Sequence, residues 1–173
     1  SGKRNELNTS SETTKSTNLA SVLNSIAEQI GQVVINEGGY DQQFYKLPET
    51  TSAVVFQVED LEKGKSNTLQ WNLADLDPSK VEFDTYRKEV RIDLKTRKNE
   101  DYIQERTDNI PSVYTDKLSI QAQDIESARL LVKLFKEGID LARKAYKDPF
   151  SEAYPNPSIE QALAYCQKSI EEV

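Results

Sequence analysis

The apolar residues of this chain change period twice, and that constrains the fold more than any other feature. Between residues 17 and 36 they keep helical spacing: Leu19, Val22, Leu23, Ile26, Ile30, Val33 and Val34 share one face. Thr17 or Asn18 can cap the start, and Gly38-Gly39 reads as the stop. Val33-Val34-Ile35 is β-branched, so the last turn can instead be extended.

From about 43 to 122 the period falls to two. Val54, Phe56 and Val58 alternate with polar residues, as do Leu69, Trp71 and Leu73; Val81 and Phe83; Val90, Ile92 and Leu94; and Leu118, Ile120 and Ala122. Alternation places one face on a core and the other in water, which favours an antiparallel sheet. Lys63-Gly64, Asp77-Pro78, Tyr86-Arg87-Lys88, Lys98-Asn99 and Asn109-Ile110-Pro111 are the expected turns. With weaker strands around Phe44–Leu47 and Tyr102–Thr107, the count reaches seven.

Helical spacing returns over 124–147. Asp124 is placed to cap it, Glu126 suits its first turn, and Ile125, Ala128, Leu131, Val132, Phe135, Ile139 and Ala142 line one face. A connector at 149–157 holds Pro149, Pro155 and Pro157. After it, Ser158 and Gln161 form a capping box ahead of an apolar stripe, Ile159, Ala162, Leu163, Cys166, Ile170 and Val173.

The expected fold class is therefore α+β. It has an antiparallel six- to seven-stranded barrel or curved sheet, capped by a long C-terminal helix, with an extra N-terminal and an extra C-terminal helix. Residues 1–16 read as a disordered polar linker, 17–39 as the N-terminal helix, 43–147 as the strands plus capping helix, and 158–173 as the trailing helix. The linker is almost without apolar side chains and cannot offset its ordering entropy. Position 1 is Ser, not Met, so a targeting segment or another domain is expected upstream, and the last helix is expected to continue.

Several function classes fall away on composition. Net charge is −7, with 29 Asp plus Glu against 22 Lys plus Arg, which disfavours nucleic acid and anionic membrane surfaces. No stretch approaches the roughly 20 apolar residues that span a bilayer. The absence of histidine removes Ser-His-Asp and Cys-His catalysis and the usual zinc sets. Neither phosphate-loop glycine pattern occurs. No catalytic, cofactor-binding or metal residue is assigned and no cofactor is expected; enzyme status stays open, leaning to a non-enzyme.

What remains is weak as chemistry. Glu59, Asp60 and Glu62, with Asp75 and Asp77, could supply paired carboxylates, which a glycosidase holds about 5–9.5 Å apart. Acids at strand ends more commonly sit in solvated turns. Asp75-Leu76-Asp77-Pro78-Ser79 starts like a calcium loop, but Lys80 and Tyr86 stand where Gly and Glu are needed. Cys166, the single cysteine, reads as a buried inert thiol on an apolar stripe. Arg87, Lys88, Arg91, Lys95, Arg97 and Lys98 are interleaved with acids and read as a solvated strand face with cross-strand ion pairs. Tyr40, Tyr45, Tyr146, Tyr154 and Tyr165 suit packing between helices and strands.

Antiparallel strands followed by one long amphipathic helix, over residues 43–147, resemble the pleckstrin-homology-like barrel superfamily. The resemblance implies binding of lipid headgroups, peptides or proteins. The loop matching the basic lipid-binding loop of that family is Glu59-Asp60-Leu61-Glu62-Lys63-Gly64-Lys65. It holds three acids against two lysines, which argues for a protein or peptide partner. The expected function is thus a non-catalytic binding or scaffolding module within a larger tethered protein. The alternative is a small-ligand carrier or carboxylate-based hydrolase using the barrel interior, with Trp71, Tyr102 and Glu59 as ligand-binding candidates. A homodimer through the outer helices is a further expectation. The composition fixes no compartment; the Ser/Thr/Asn-rich lead leans towards an extracytoplasmic bacterial setting, periplasmic or secreted.

Overall fold

A computed structural model describes residues 18–108 and 110–145, together with 159–160, 163–164 and 166–167. The linker expected at 1–16, the connector at 149–157 and most of the trailing helix at 158–173 lie outside the described residues, as do Tyr146, Tyr154 and Tyr165.

Helix α1, Leu19–Gly31, starts where Asn18 Oδ1 accepts the Ala20 backbone N–H at 2.8 Å. It buries Val22, Leu23, Ile26 and Ile30. It ends earlier than the glycine pair suggests. Val33 and Val34 lie outside the helix, and Ile35 is extended, as its β-branching allows, and bridges Tyr40. Helix α2, Ile125–Ala145, starts with Asp124 Oδ1 accepting the Ser127 backbone N–H at 2.8 Å. Its buried face is Ala128, Leu131, Phe135, Gly138, Ile139 and Ala142.

Between the helices lie eight antiparallel strands: β1 Tyr40–Lys46, β2 Ala53–Asp60, β3 Lys65–Asn72, β4 Glu82–Tyr86, β5 Glu89–Lys95, β6 Ile103–Thr107, β7 Ile110–Thr115 and β8 Lys117–Ala122. They form two sheets, β1-β2-β3-β6-β7 and β4-β5-β8. The α+β class and the antiparallel strands of the expected six- to seven-stranded barrel or curved sheet are present, but the strands number eight, lie in two sheets and do not close into a barrel. The seam between the sheets lies at β1 and β8. There Gln42 Nε2 donates to the Gln121 carbonyl at 2.7 Å and to the Ile30 carbonyl at 3.3 Å. A buried side-chain amide thus stands where a closed barrel would have a backbone ladder, and β4 and β7 are the open edges away from that contact.

Four of the five expected turns are present, with their chemistry. Gly64, at φ +66°, closes β2–β3, and Asp60 Oδ1 accepts the Glu62 and Lys63 backbone N–H groups. The tip of the β4–β5 hairpin places Arg87 at φ 57°. The eighth strand is the one the sequence hid. Ile110-Pro111 reads as a turn, yet both residues belong to β7, and an edge strand tolerates proline because it need not donate outward.

The core is shared by both helices and both sheets. Trp71, Phe56, Phe135, Ile26, Ile30, Leu73, Leu76, Ile92, Leu94, Ile103, Ile120 and Leu131 are its largest fully buried side chains. Phe44 sits between two of them, edge-on to Phe135 at 5.8 Å and tilted against Trp71 at 6.3 Å. Most of the apolar faces of α1 and α2 is buried within the chain, on each other and on the sheets, while Ile125 and Leu130 of α2 stay exposed. Where the trailing helix is described, the outcome differs: Ile159 and Leu163 are 79% and 65% exposed, and Cys166 is exposed, contrary to the buried thiol expected.

Candidate interaction surface at the open hairpin

The three residues named from sequence do not converge. Trp71 is fully buried on the inner face of the five-stranded sheet, opposite Val54, and its Nε1 has no hydrogen-bond partner. Glu59 lies on the opposite face of that sheet, in a row with Asp41 and Ser66. Tyr102 is 7% exposed, and the Arg97 guanidinium stands 5.9 Å from its ring centre.

The carboxylates considered for catalysis are dispersed among local tasks. Asp60 caps its own turn. Asp77 accepts the Ser79 backbone N–H at 2.9 Å and the Ser79 hydroxyl at 2.7 Å, and the hydroxyl bond holds its pKa below the usual carboxylate value. Asp75, fully buried, pairs with Arg97 Nη2 at 3.1 Å. Arg143 of α2 closes the same corner, donating to the carbonyls of Ala74 at 3.3 Å and Leu76 at 2.6 Å. Asp75 and Asp77, adjacent in the calcium-like run, therefore serve different neighbours. The basic run makes ion pairs, but not the cross-strand ones expected: Arg91 pairs with Glu89 within β5 and Arg97 with Asp75 at the corner, while Arg87 stacks over Tyr86.

Among the described residues, the stretch of sheet most open to solvent is β7, the outer strand of the β6–β7 hairpin. The main packing of α1 is on β1 and α2, and that of α2 is on α1, the corner turns and the β4-β5-β8 sheet. The hairpin lies outside this cover, attached to β3 through four paired positions, Asn67–Gln70 with Gln104–Thr107. One row of the inner face shows the transition. Phe44, Phe56 and Leu69 are 5%, 2% and 6% exposed, Glu105 is half-buried, and Val113 is 51% exposed. Ile110 on the same strand is 60% exposed.

On the outer face a single row crosses all five strands: Tyr45, Val55, Gln70, Gln104 and Tyr114. Partial burial raises the pKa of the Tyr114 phenol, opposed by nearby Arg106, so the hydroxyl keeps its proton at neutral pH. Below this row the hairpin is anchored by polar contacts. Asn67 Nδ2 donates to Glu105 Oε2 at 3.0 Å, and the Ser66 backbone N–H donates to Asp108 Oδ2 at 2.8 Å.

Strand β7 differs from the other seven in charge: it is the only one with no charged residue. Exposed edges ordinarily carry charge, because bare N–H and C=O groups recruit other strands. Here Pro111 is the only deterrent. The sequence held a signal for this site, an uncharged Ile-Pro-Ser-Val-Tyr-Thr run within a chain that is 29% charged, but the Asn-Ile-Pro opening masked it as a turn. Comparison of the chain with protein-family models, with curated proteins and with solved structures returned no match.

Proposed function

We propose that this chain is a non-catalytic binding module that takes an extended segment of a protein or peptide partner along the open edge of β7. The supporting observation is the combination at β7 of an open edge, exposed Ile110, Val113 and Tyr114, and no charge. Strand addition draws affinity from main-chain hydrogen bonds and specificity from alternate side chains. An added strand would lie beside Val113 on the inner face and beside Tyr114 on the outer, so the preferred partner alternates apolar residues and carries little charge. The order of strands followed by one long helix, which resembles the pleckstrin-homology-like superfamily, supports the same partner class. Carriage of a small ligand is the less favoured reading, since Trp71, Phe56, Phe135, Ile26 and Ile30 lie fully buried in the core shared by sheets and helices.

The test is selection of displayed random peptides on the wild-type chain, with counter-selection on Val113→Lys, followed by amide exchange. Selected peptides should slow exchange along β7 and lose binding to the lysine variant. Peptides that bind both proteins equally, or protect another surface, would show the reading to be wrong.

A further inference from the structure

We propose that in the isolated protein the strand added to β7 is β7 of a second copy, paired antiparallel about a two-fold axis at Val113. This rests on the strand-addition reading and names the partner. Each copy carries −7, so two copies repel over most of their surface; residues 110–115 contribute nothing to that repulsion. The other open edge, β4, paired about Phe83 would set Glu82 of each copy against Asp84 of the other.

Symmetry narrows the register. Residues facing each other in an antiparallel ladder share a face of the sheet, and a two-fold axis through the sheet keeps every residue on its own face. The axis must therefore pass at a residue, not between two. Centring on Ser112 sets Asp108 of one copy opposite Asp116 of the other, two like charges. Centring on Tyr114 sets Ile110 opposite Leu118, which has already turned into the other sheet as part of β8. Centring on Val113 sets valine on valine and Ser112 on Tyr114, with no charged pair within the strand. The inner row Phe44–Phe56–Leu69–Glu105–Val113 then continues directly into its symmetry mate. A single strand pair is a small interface, in the class below about 1,200 Å². The dimer is accordingly reversible and strengthens with added salt, which screens the net charge.

Sedimentation velocity on the full chain should show a concentration-dependent dimer. Val113→Lys should abolish it with an unchanged circular dichroism spectrum, and Val113→Thr, neutral and β-branched, should retain it. The register is read by disulfide trapping in a Cys166→Ser background. Facing Cα atoms in such a ladder lie about 4.5–5.5 Å apart, within disulfide reach. Val113→Cys should therefore oxidise to a covalent dimer. Ile110→Cys should not, because six residue steps at about 3.4 Å hold the two copies of that position roughly 20 Å apart. A dimer that survives Val113→Lys, or crosslinks as readily through position 110, overturns the proposal. A chain that stays monomeric while displayed peptides still protect β7 overturns self-pairing alone. A β7 that neither self-associates nor takes peptides overturns both this proposal and the strand-addition reading.

Discussion

The two open edges of this protein, β4 and β7, are built from similar lengths of strand and have opposite surfaces. In β4, Phe83 is half-buried against the core while Glu82 and Asp84 face water, and α2 packs over its sheet. In β7 no residue is buried, none is charged, and α1 and α2 pack mainly elsewhere. An edge tied to the core can carry acids on its free side, because its stability comes from the inner side. An edge with no core under it draws on its ladder alone, and its exposed apolar groups gain only when another strand arrives.

The largest expected effect strikes the covered side. Phe135→Ala removes the ring packed on Phe44 at the centre of α2 and should cost about 3–5 kcal/mol, read as a shifted urea midpoint. The contrast is Val113→Ala, which should stay within about 0.5 kcal/mol of wild type because its site is exposed. Equal losses at the two sites would break the comparison.

Next is the corner that leads from β3 into β4. Arg97→Ala leaves Asp75 buried without its cation. The loss should be about 2–3 kcal/mol, less than for a fully buried pair because 25% of the Arg97 side chain is exposed. Exchange should quicken in β4 and β5 before β7. Uniform acceleration would mean that the corner supports both edges alike.

Gly138→Ala should stabilise, by about 0.5–1 kcal/mol, through helix propensity. An added Cβ would lie 3.5 Å from Val22 Cγ1 and 3.6 Å from Leu73 Cδ1, ordinary contact distances. A lower denaturation midpoint would show that the α1–α2 contact cannot accept a methyl group. If cover is what separates the edges, the gain should appear in exchange at β4 and not at β7.

The smallest effect lies where the hairpin leaves the second sheet. Desolvation, with Asp116 and Glu100 nearby, raises the Asp101 pKa above 3.8. A carboxyl raised on folding contributes stability that is present below its unfolded pKa and lost as pH rises through its folded value. Asp101→Asn should therefore be slightly more stable than wild type at pH 7, with the difference vanishing below about pH 4. Asp124 has the opposite sign. Its pKa is lowered by the Ser127 backbone N–H, so its contribution fades only as pH falls below 3.8 through the folded value. Parallel stability profiles for wild type and Asp101→Asn across that range would remove the electrostatic account of this corner.

Much of the fold was legible because local rules acted alone. The caps at Asn18 and Asp124, the Gly64 turn and the alternation at Val54–Val58 and Leu118–Ala122 all follow from short-range sterics and hydrogen bonding. The candidate site was not legible, for three separate reasons. Pro111 carries a turn signal that an edge strand overrides. Trp71 and Glu59 look alike as functional candidates until the sheet sets them on opposite faces. Asp75 and Asp77 look paired until Arg97, 22 positions from Asp75, claims one of them.

The sequence by itself determined helices α1 and α2, the period of most strands, four of the turns and the chemistry that a chain without histidine cannot perform. Only the tertiary structure decided that the strands divide at a Gln42 seam, that both main helices cover one end of the array, and that β7 lies beyond that cover. The reason is range. Period and capping depend on neighbours within a few residues. Which edge stays bare depends on how far two helices reach across eight strands, and no local pattern records that distance.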